Sequence, residues 1–274
     1  MSASAELLHF SASGAGLPVV FLHPTPLDHA YWLPLANQLA GVRAILPDLR
    51  GHGRSPLGSA LAAGAFAPVP DAPVLTMQQL AADVLALLDH LDIQQAVIAG
   101  CSIGGYVALE LWRQAPKRVA GLAFVCSKPQ PDAPAQAARR AETIAQVRAG
   151  QRSQLFESMA KSLTGAAAQA RRPEILAELR QQMNSATDEA LVAVQAGLAT
   201  RPDSVPTVAT ISVPVFALAG GADPGVSLHD MRAFEQAPGG CTLSLLEEAG
   251  HFAAYEEPER VAALLAAWLV RFRA

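Results

Sequence analysis

The segment Gly100-Cys101-Ser102-Ile103-Gly104 sets a serine between two glycines, each two residues away. A serine hydroxyl is a weak nucleophile at neutral pH and attacks a carbonyl only when an adjacent base takes its proton. The G-x-S-x-G spacing suits that chemistry. It raises the hydroxyl above a sheet on a tight strand-to-helix turn, and glycines at those offsets relieve the crowding of the turn. The flanks match this setting. An apolar run, Ala96-Val97-Ile98-Ala99-Gly100, ends at the motif, and a helix-spaced pattern begins at Ile103.

A base and an acid must serve this serine, and in this template they follow it in chain order, acid before histidine. Of the seven histidines, His251 in Glu248-Ala249-Gly250-His251-Phe252 lies just past the last strand-like run, where a base on a loop belongs. His9, His90 and His229 read as surface residues. His52, within Arg50-Gly51-His52-Gly53-Arg54-Ser55, is the main competitor, but it precedes the serine. The acid holds the imidazole tautomer and stabilises its charged form. Asp223, in Gly220-Gly221-Ala222-Asp223-Pro224, sits on a turn sequence after a strand-like run, with Asp203 and Glu248 as weaker alternatives.

The tetrahedral oxyanion needs two N–H donors, one just after the nucleophile and one from a loop after an early strand. Ile103 supplies the first. In His23-Pro24-Thr25-Pro26 the prolines lack an N–H, so from 24 to 26 Thr25 alone donates from its backbone, and its hydroxyl is a candidate third donor. Ser102, Asp223 and His251 are therefore the expected catalytic residues, with Thr25 and Ile103 forming the oxyanion hole.

The elements that must position these groups alternate. Leu17 to His23, Val42 to Pro47, Ala96 to Gly100, Gly121 to Cys126, Pro214 to Ala219 and Cys241 to Leu246 are short apolar runs, the pattern of strands covered on both faces of a parallel sheet. Helical spacing occupies Thr76 to Leu91, with Thr76 as N-cap, then Ile103 to Arg113 and Pro258 to Phe272. This alternation predicts a doubly wound α/β sheet with right-handed crossovers. Ser55 to Pro73 reads as a long loop or excursion. From about 129 to 206 no strand pattern occurs. Four helices are expected there: Ala133 to Ala149, Gln151 to Leu163, Ala167 to Asn184 and Thr187 to Leu198. This block reads as an insertion of 129–206 into a core formed by 1–128 and 207–274.

Composition narrows the classes. The 274 residues, 51% hydrophobic, suffice for one large α/β unit, and the formal net charge of −4 offers no match to nucleic acid. The basic pairs Arg139-Arg140 and Arg171-Arg172 read as solvated helix faces. Three scattered cysteines make neither a disulfide framework nor a zinc site and suit reduced thiols. Met1 to Phe10 lacks a signal-peptide pattern, and Val261 to Val270 reaches about half the length of a membrane span. A cytoplasmic location without a membrane partner is expected.

Together these pieces resemble the α/β-hydrolase superfamily. The resemblance rests on His23-Pro24-Thr25-Pro26, Asp48-Leu49-Arg50-Gly51-His52-Gly53-Arg54-Ser55, Gly100-Cys101-Ser102-Ile103-Gly104-Gly105, Gly220 through Asp223, and Gly250-His251-Phe252 followed by Glu257-Pro258-Glu259, all in family order. Pro24 departs from the usual glycine. The resemblance implies a mostly parallel sheet of about eight strands with a helical cap after the sixth. It also implies an activity like that of small esterases, enol-lactonases and cofactor-free haloperoxidases, with neither metal nor organic cofactor. Serine, rather than aspartate, at position 102 disfavours haloalkane dehalogenases and epoxide hydrolases.

The expected function is cleavage of a small carboxylic ester or lactone through an acyl-enzyme. Carbon–carbon hydrolysis, perhydrolysis and acyl transfer use the same triad, and a non-catalytic ligand-binding role on this fold is a further alternative. The inner face of the insertion is expected to give an apolar pocket from Leu155, Phe156, Met159, Leu163, Met183 and Leu191, with Trp32 near the entrance.

Overall fold

The computed structural model describes residues 7–58, 62–63 and 66–272, with the backbone alone at 62–63. Seven strands form one sheet: β1 (Phe10–Gly14), β2 (Leu17–Leu22), β3 (Val42–Pro47), β4 (Ala96–Cys101), β5 (Val119–Val125), β6 (Val215–Gly220) and β7 (Cys241–Leu246). Their order is β1-β3-β2-β4-β5-β6-β7, and every pair is parallel except the edge pair β1–β3. The described residues thus give seven strands in the main sheet where eight were expected. β1, Phe-Ser-Ala-Ser-Gly, is an edge strand that the sequence reading passed over. Its short, polar, half-exposed pattern lacks the apolar run that marked the others.

Two-residue alternation sends the strand side chains into two cores. Val19, Phe21, Val97, Ala99, Phe216 and Leu218 face one side, packed with Trp32, Leu265 and Trp268. Val20, Leu22, Ile98, Phe124, Val215 and Ala217 face the other. Against that second face lie helices α1 (Met77–His90) and α2 (Ile103–Gln114). In α1 the buried residues Leu80, Val84, Leu87 and Leu88 keep helical spacing, and each contributes about 1.5–3 kcal/mol of burial. Thr76 caps α1, its hydroxyl accepting the Gln79 N–H at 3.2 Å.

Between β5 and β6 the chain forms helices only: α3 (Pro134–Arg148), α4 (Arg152–Leu163), α5 (Ala166–Arg171), α6 (Ile175–Met183) and α7 (Asp188–Ala199), then a single turn at Val205–Val208. The helix expected over 167–184 is two helices. Pro173 lacks an N–H and forces Arg172 out of helical geometry (φ −132°, ψ 79°), so the chain breaks there. Helix α7 lies hard against the chain that enters α1. Leu75 N donates to Ala193 O at 3.0 Å, and a Cβ on Gly197 would stand 1.8 Å from Leu75 O. The expected excursion from Ser55 to Pro73 is seen in part: Ala62–Ala63 pairs antiparallel with Pro73–Val74, while 59–61 and 64–65 lie outside the described residues. The C-terminal helix α8 (Pro258–Leu269) continues as a 3-10 turn over Val270–Phe272. Among the described residues no helix is long and apolar enough to cross a membrane.

Candidate active site

Strand β4 delivers its last residue, Cys101, to a sharp turn, and Ser102 occupies it with φ 52° and ψ −118°. That left-handed φ is costly for a residue with a side chain and is held by its surroundings. Ser102 N donates to Val125 O at 3.2 Å, and the Ser127 hydroxyl donates to Ser102 O at 2.9 Å. The two glycines of the motif touch one another. A Cβ on Gly100 would lie 2.2 Å from the carbonyl carbon of Gly104, and one on Gly104 would lie 2.1 Å from Leu22 O. The turn closes only because both positions lack a side chain.

His251 and Asp223 come from loops after β7 and β6. Nδ1 of His251 lies 2.7 Å from Asp223 Oδ2. The other oxygen of Asp223 accepts the N–H groups of Gly225 and Val226 at 2.8 and 3.2 Å, which fixes the carboxylate plane. With Nδ1 facing a carboxylate, the neutral ring carries its proton there and leaves Nε2 as a lone pair. Burial works against the imidazolium, but the charge and hydrogen bond of Asp223 outweigh it and raise the ring's pKa above its ordinary value. The weaker acid candidates serve elsewhere: Asp203 accepts the N–H of Val205, and Glu248 pairs with Arg171 at 3.1 Å.

The His251 loop is tied down on both sides. Glu256, 4% exposed, accepts Gly250 N at 2.9 Å and Phe252 N at 3.1 Å. The same carboxylate takes Gly165 N at 2.9 Å, and His251 N donates to Leu163 O at 2.7 Å. The loop is therefore stitched to the end of α4 and the start of α5. Sequence reading did not single out Glu256.

Thr25, Ser102 and His251 line one cavity of about 150 Å³. A larger hollow of about 270 Å³, between Pro73 and the ends of α3 and α7, includes none of them. Ile103 begins α2, so its N–H has no acceptor within the helix. The hydroxyl of Thr25 is not the extra donor that was expected. It lies 2.8 Å from His52 Nε2, and His52 Nδ1 faces the carbonyl of Arg50 at 3.1 Å. A carbonyl only accepts, so Nδ1 carries the proton and Nε2 receives the threonine's. Burial lowers the His52 pKa and keeps this ring neutral. His52 thus anchors Thr25.

The pocket wall differs from the expected apolar one. Met159 and Leu163 are on it, joined by Tyr106, Lys128, Asp132, Gln136, Arg140 and Gln195. Trp32, Phe156 and Met183 are not among its lining residues and are corrected to core. Trp32 is fully buried, with its ring 5.3 Å from Phe21 and 4.9 Å from Tyr31. Phe156 packs among the helices between β5 and β6, under Arg152, and Met183 is fully buried. Their helical period seals helix on helix. Arg140 in turn is half-buried and engaged: its Nε donates to Asp132 at 3.1 Å and its Nη1 to Gln195 at 3.0 Å, whereas Arg139 is exposed.

His9, expected at the surface, is half-buried against Asp48. Its Nδ1 lies 2.8 Å from Asp48 Oδ2, and His29 Nδ1 lies 2.7 Å from Oδ1. These three residues offer metal-type donor atoms within 4.8 Å of one another. The Asp48 oxygens also accept the N–H groups of His29 and Arg54, both at 2.9 Å, so the donor atoms are spent on one another. The cluster is a hydrogen-bonded hub. His90 and His229 are exposed, as expected.

The sequence matches the model of the alpha/beta hydrolase family over residues 19–264, and the chain belongs to that family. A thermophilic esterase from Thermogutta terrifontis, solved with malate bound, superposes with a TM-score of 0.86 at 31% identity, covering 96% of this chain and 93% of that one. The 3-oxoadipate enol-lactonase 2 of Acinetobacter baylyi is 28% identical over 235 residues, 82% of this chain and 78% of that protein. A dihydrolipoyllysine-residue acetyltransferase component of an acetoin cleaving system from Pseudomonas putida is 40% identical over 113 residues. That match spans 41% of this chain and only 27% of the larger protein.

Proposed function

We propose that this alpha/beta hydrolase is a serine esterase or lactonase working through an acyl-enzyme. The observation that carries the reading is the 2.7 Å contact of His251 Nδ1 with Asp223, which leaves Nε2 basic on a cavity shared with Ser102. In the cycle, Nε2 of His251 takes the Ser102 proton as Oγ bonds to the carbonyl carbon. The N–H groups of Ile103 and Thr25 hold the resulting oxyanion, each contributing about 3–4 kcal/mol by analogy with other hydrolases. The intermediate collapses, the C–O bond breaks, and the alkoxide leaves with the proton from His251. A water molecule, deprotonated by the same nitrogen, then attacks the acyl-serine; the serine regains its proton and the acid departs. Residues 129–206 act as a cap that shapes the pocket above the serine. The esterase and enol-lactonase similarities support the substrate class.

The test is hydrolysis of short p-nitrophenyl esters by the wild type and by Ser102→Ala, together with mass mapping after organophosphate treatment. Loss of activity by about 10³-fold or more and a single adduct at Ser102 are expected. Equal rates for the two proteins would refute the nucleophile.

A further inference from the structure

Lys128 follows β5 and stands on the cavity wall, 8% exposed. Its ammonium has one hydrogen-bond acceptor among the described residues, Gln136 Oε1 at 3.4 Å. That oxygen is neutral and already shared, because it takes the Ala133 N–H at 3.1 Å at the start of α3. Among the described residues no carboxylate oxygen lies within 4.0 Å of Nζ. Asp230 feels the lysine's charge from a distance, but its Oδ2 accepts the N–H and the hydroxyl of Ser227 at 2.9 and 2.7 Å.

No neighbouring carboxylate pairs directly with this cation, and Asp230 acts on it only from beyond ion-pair distance. Asp132 is the carboxylate on the cavity wall, and it already bridges Arg140 Nε at 3.1 Å and Arg201 Nη1 at 2.6 Å. Arg201 also donates to the carbonyls of Leu198 and Gln130 and lies over the Tyr106 ring, so it is committed to structure. Arg140 gives two of its five N–H donors to Asp132 and Gln195. An ammonium taken from water without an ionic partner is costly, and a long bond to a shared amide oxygen offsets little of that cost. The arrangement makes sense when the anion arrives with the ligand.

We propose that Lys128 and Arg140 form an anion subsite, and that the ester or lactone cleaved here carries a carboxylate on a short chain. This rests on the serine-hydrolase reading above and names its substrate class. The size limit comes from the cavity: about 150 Å³ is room for a ligand of roughly benzene's size. A carboxylate near Nζ replaces the weak amide contact with a charge-assisted hydrogen bond, and the remaining Arg140 donors supply a second.

The experiment compares monomethyl succinate with its neutral isostere methyl 4-methylpentanoate, following acid release by pH-stat. The wild type is expected to prefer the anionic ester in kcat/KM by about tenfold or more, the scale of one charge-assisted bond. In Lys128→Met that ratio falls by about tenfold, Lys128→Arg restores part of it, and the Met variant melts at or above the wild-type temperature because a buried cation without a direct ionic partner has been removed. A purely structural lysine gives the opposite melting result. A wild-type ratio near one, an unchanged ratio in Lys128→Met, or a Met variant that melts several degrees lower overturns the subsite. Calorimetric titration of Ser102→Ala with monomethyl succinate separates the two readings. Cleavage of the neutral ester that depends on Ser102, without anion preference or binding, sinks the subsite and leaves the hydrolase standing. Lys128-dependent binding without ester cleavage by the wild type does the reverse.

Discussion

Replacing Glu256 by glutamine tests how His251, the proposed general base, is held. The carboxylate accepts three backbone N–H groups: Gly165 and Gly250 on Oε2, Phe252 on Oε1. A carboxamide has one oxygen. Placed at the Oε2 position it keeps two bonds, but its NH₂ then faces the Phe252 N–H, donor against donor. The opposite flip loses two bonds. The smaller loss is one hydrogen bond to a charged group plus an unsatisfied buried donor, about 2–3 kcal/mol. At roughly 2–4 °C per kcal/mol, Glu256→Gln lowers Tm by about 4–12 °C. Glu256→Ala leaves all three donors without an acceptor and costs several kcal/mol more, a large part of the ~5–15 kcal/mol that holds a typical domain folded. Because two of the three donors flank His251, kcat on a neutral ester is expected to fall in the glutamine variant at temperatures well below its melt. The assay is thermal unfolding paired with steady-state kinetics at 25 °C. A glutamine variant within 1 °C of wild type and with unchanged kcat would show that the loop is fixed by other contacts.

Three further outcomes are expected. As the proposed base, His251 must be neutral to act, and Asp223 raises its pKa, so kcat/KM declines with falling pH at a midpoint above the ordinary ~6.5. In Asp223→Asn burial and the Arg140 charge are opposed only by the smaller effect of Glu256, so the acid limb moves to lower pH while the rate drops by about 10⁴-fold through loss of the tautomer; a pH–rate profile with an unmoved limb contradicts this. In Gly100→Ala the new Cβ meets backbone atoms of Gly104 at 2.2 and 2.3 Å, which no rotamer change relieves. A loss of at least ~1–3 kcal/mol and a disproportionate fall in kcat follow, and a wild-type melting curve would disprove the close contact.

What could be read from the residues alone was whatever is local. The Ser102 turn is encoded within five positions, and the loops bearing Asp223 and His251 each follow an apolar strand run, so chain order placed them. The strands of the parallel sheet announced themselves by unbroken apolar runs. β1 did not, because an edge strand half in water needs no such run. The pocket wall was illegible for a different reason. Gln136 and Arg140 lie four residues apart on one side of α3, with Asp132 just ahead of its first turn, and such polar spacing usually marks a face turned to water. Here that face turns inward, a fact set by the packing of α3 on α7 and not by α3 itself. The apolar residues chosen instead, Phe156, Met183 and Trp32, were read for their type, and their type serves packing. Lys128 gave no signal because a lone lysine after a strand is ordinary until its neighbours are known.

The stitching of the His251 loop to Leu163 and Gly165 bears on engineering. Swapping the helical segment for that of another family member is an obvious route to new specificity, but here the transplant would carry away part of the anchor for the base. A replacement must present a carbonyl where Leu163 has one. It must also keep a residue without a side chain at position 165, since a Cβ there would lie 2.2 Å from Glu248 O. Chimeras cut inside this pair of residues are expected to lose turnover whatever pocket they bring, and cuts on the far side of α5 leave the anchor whole.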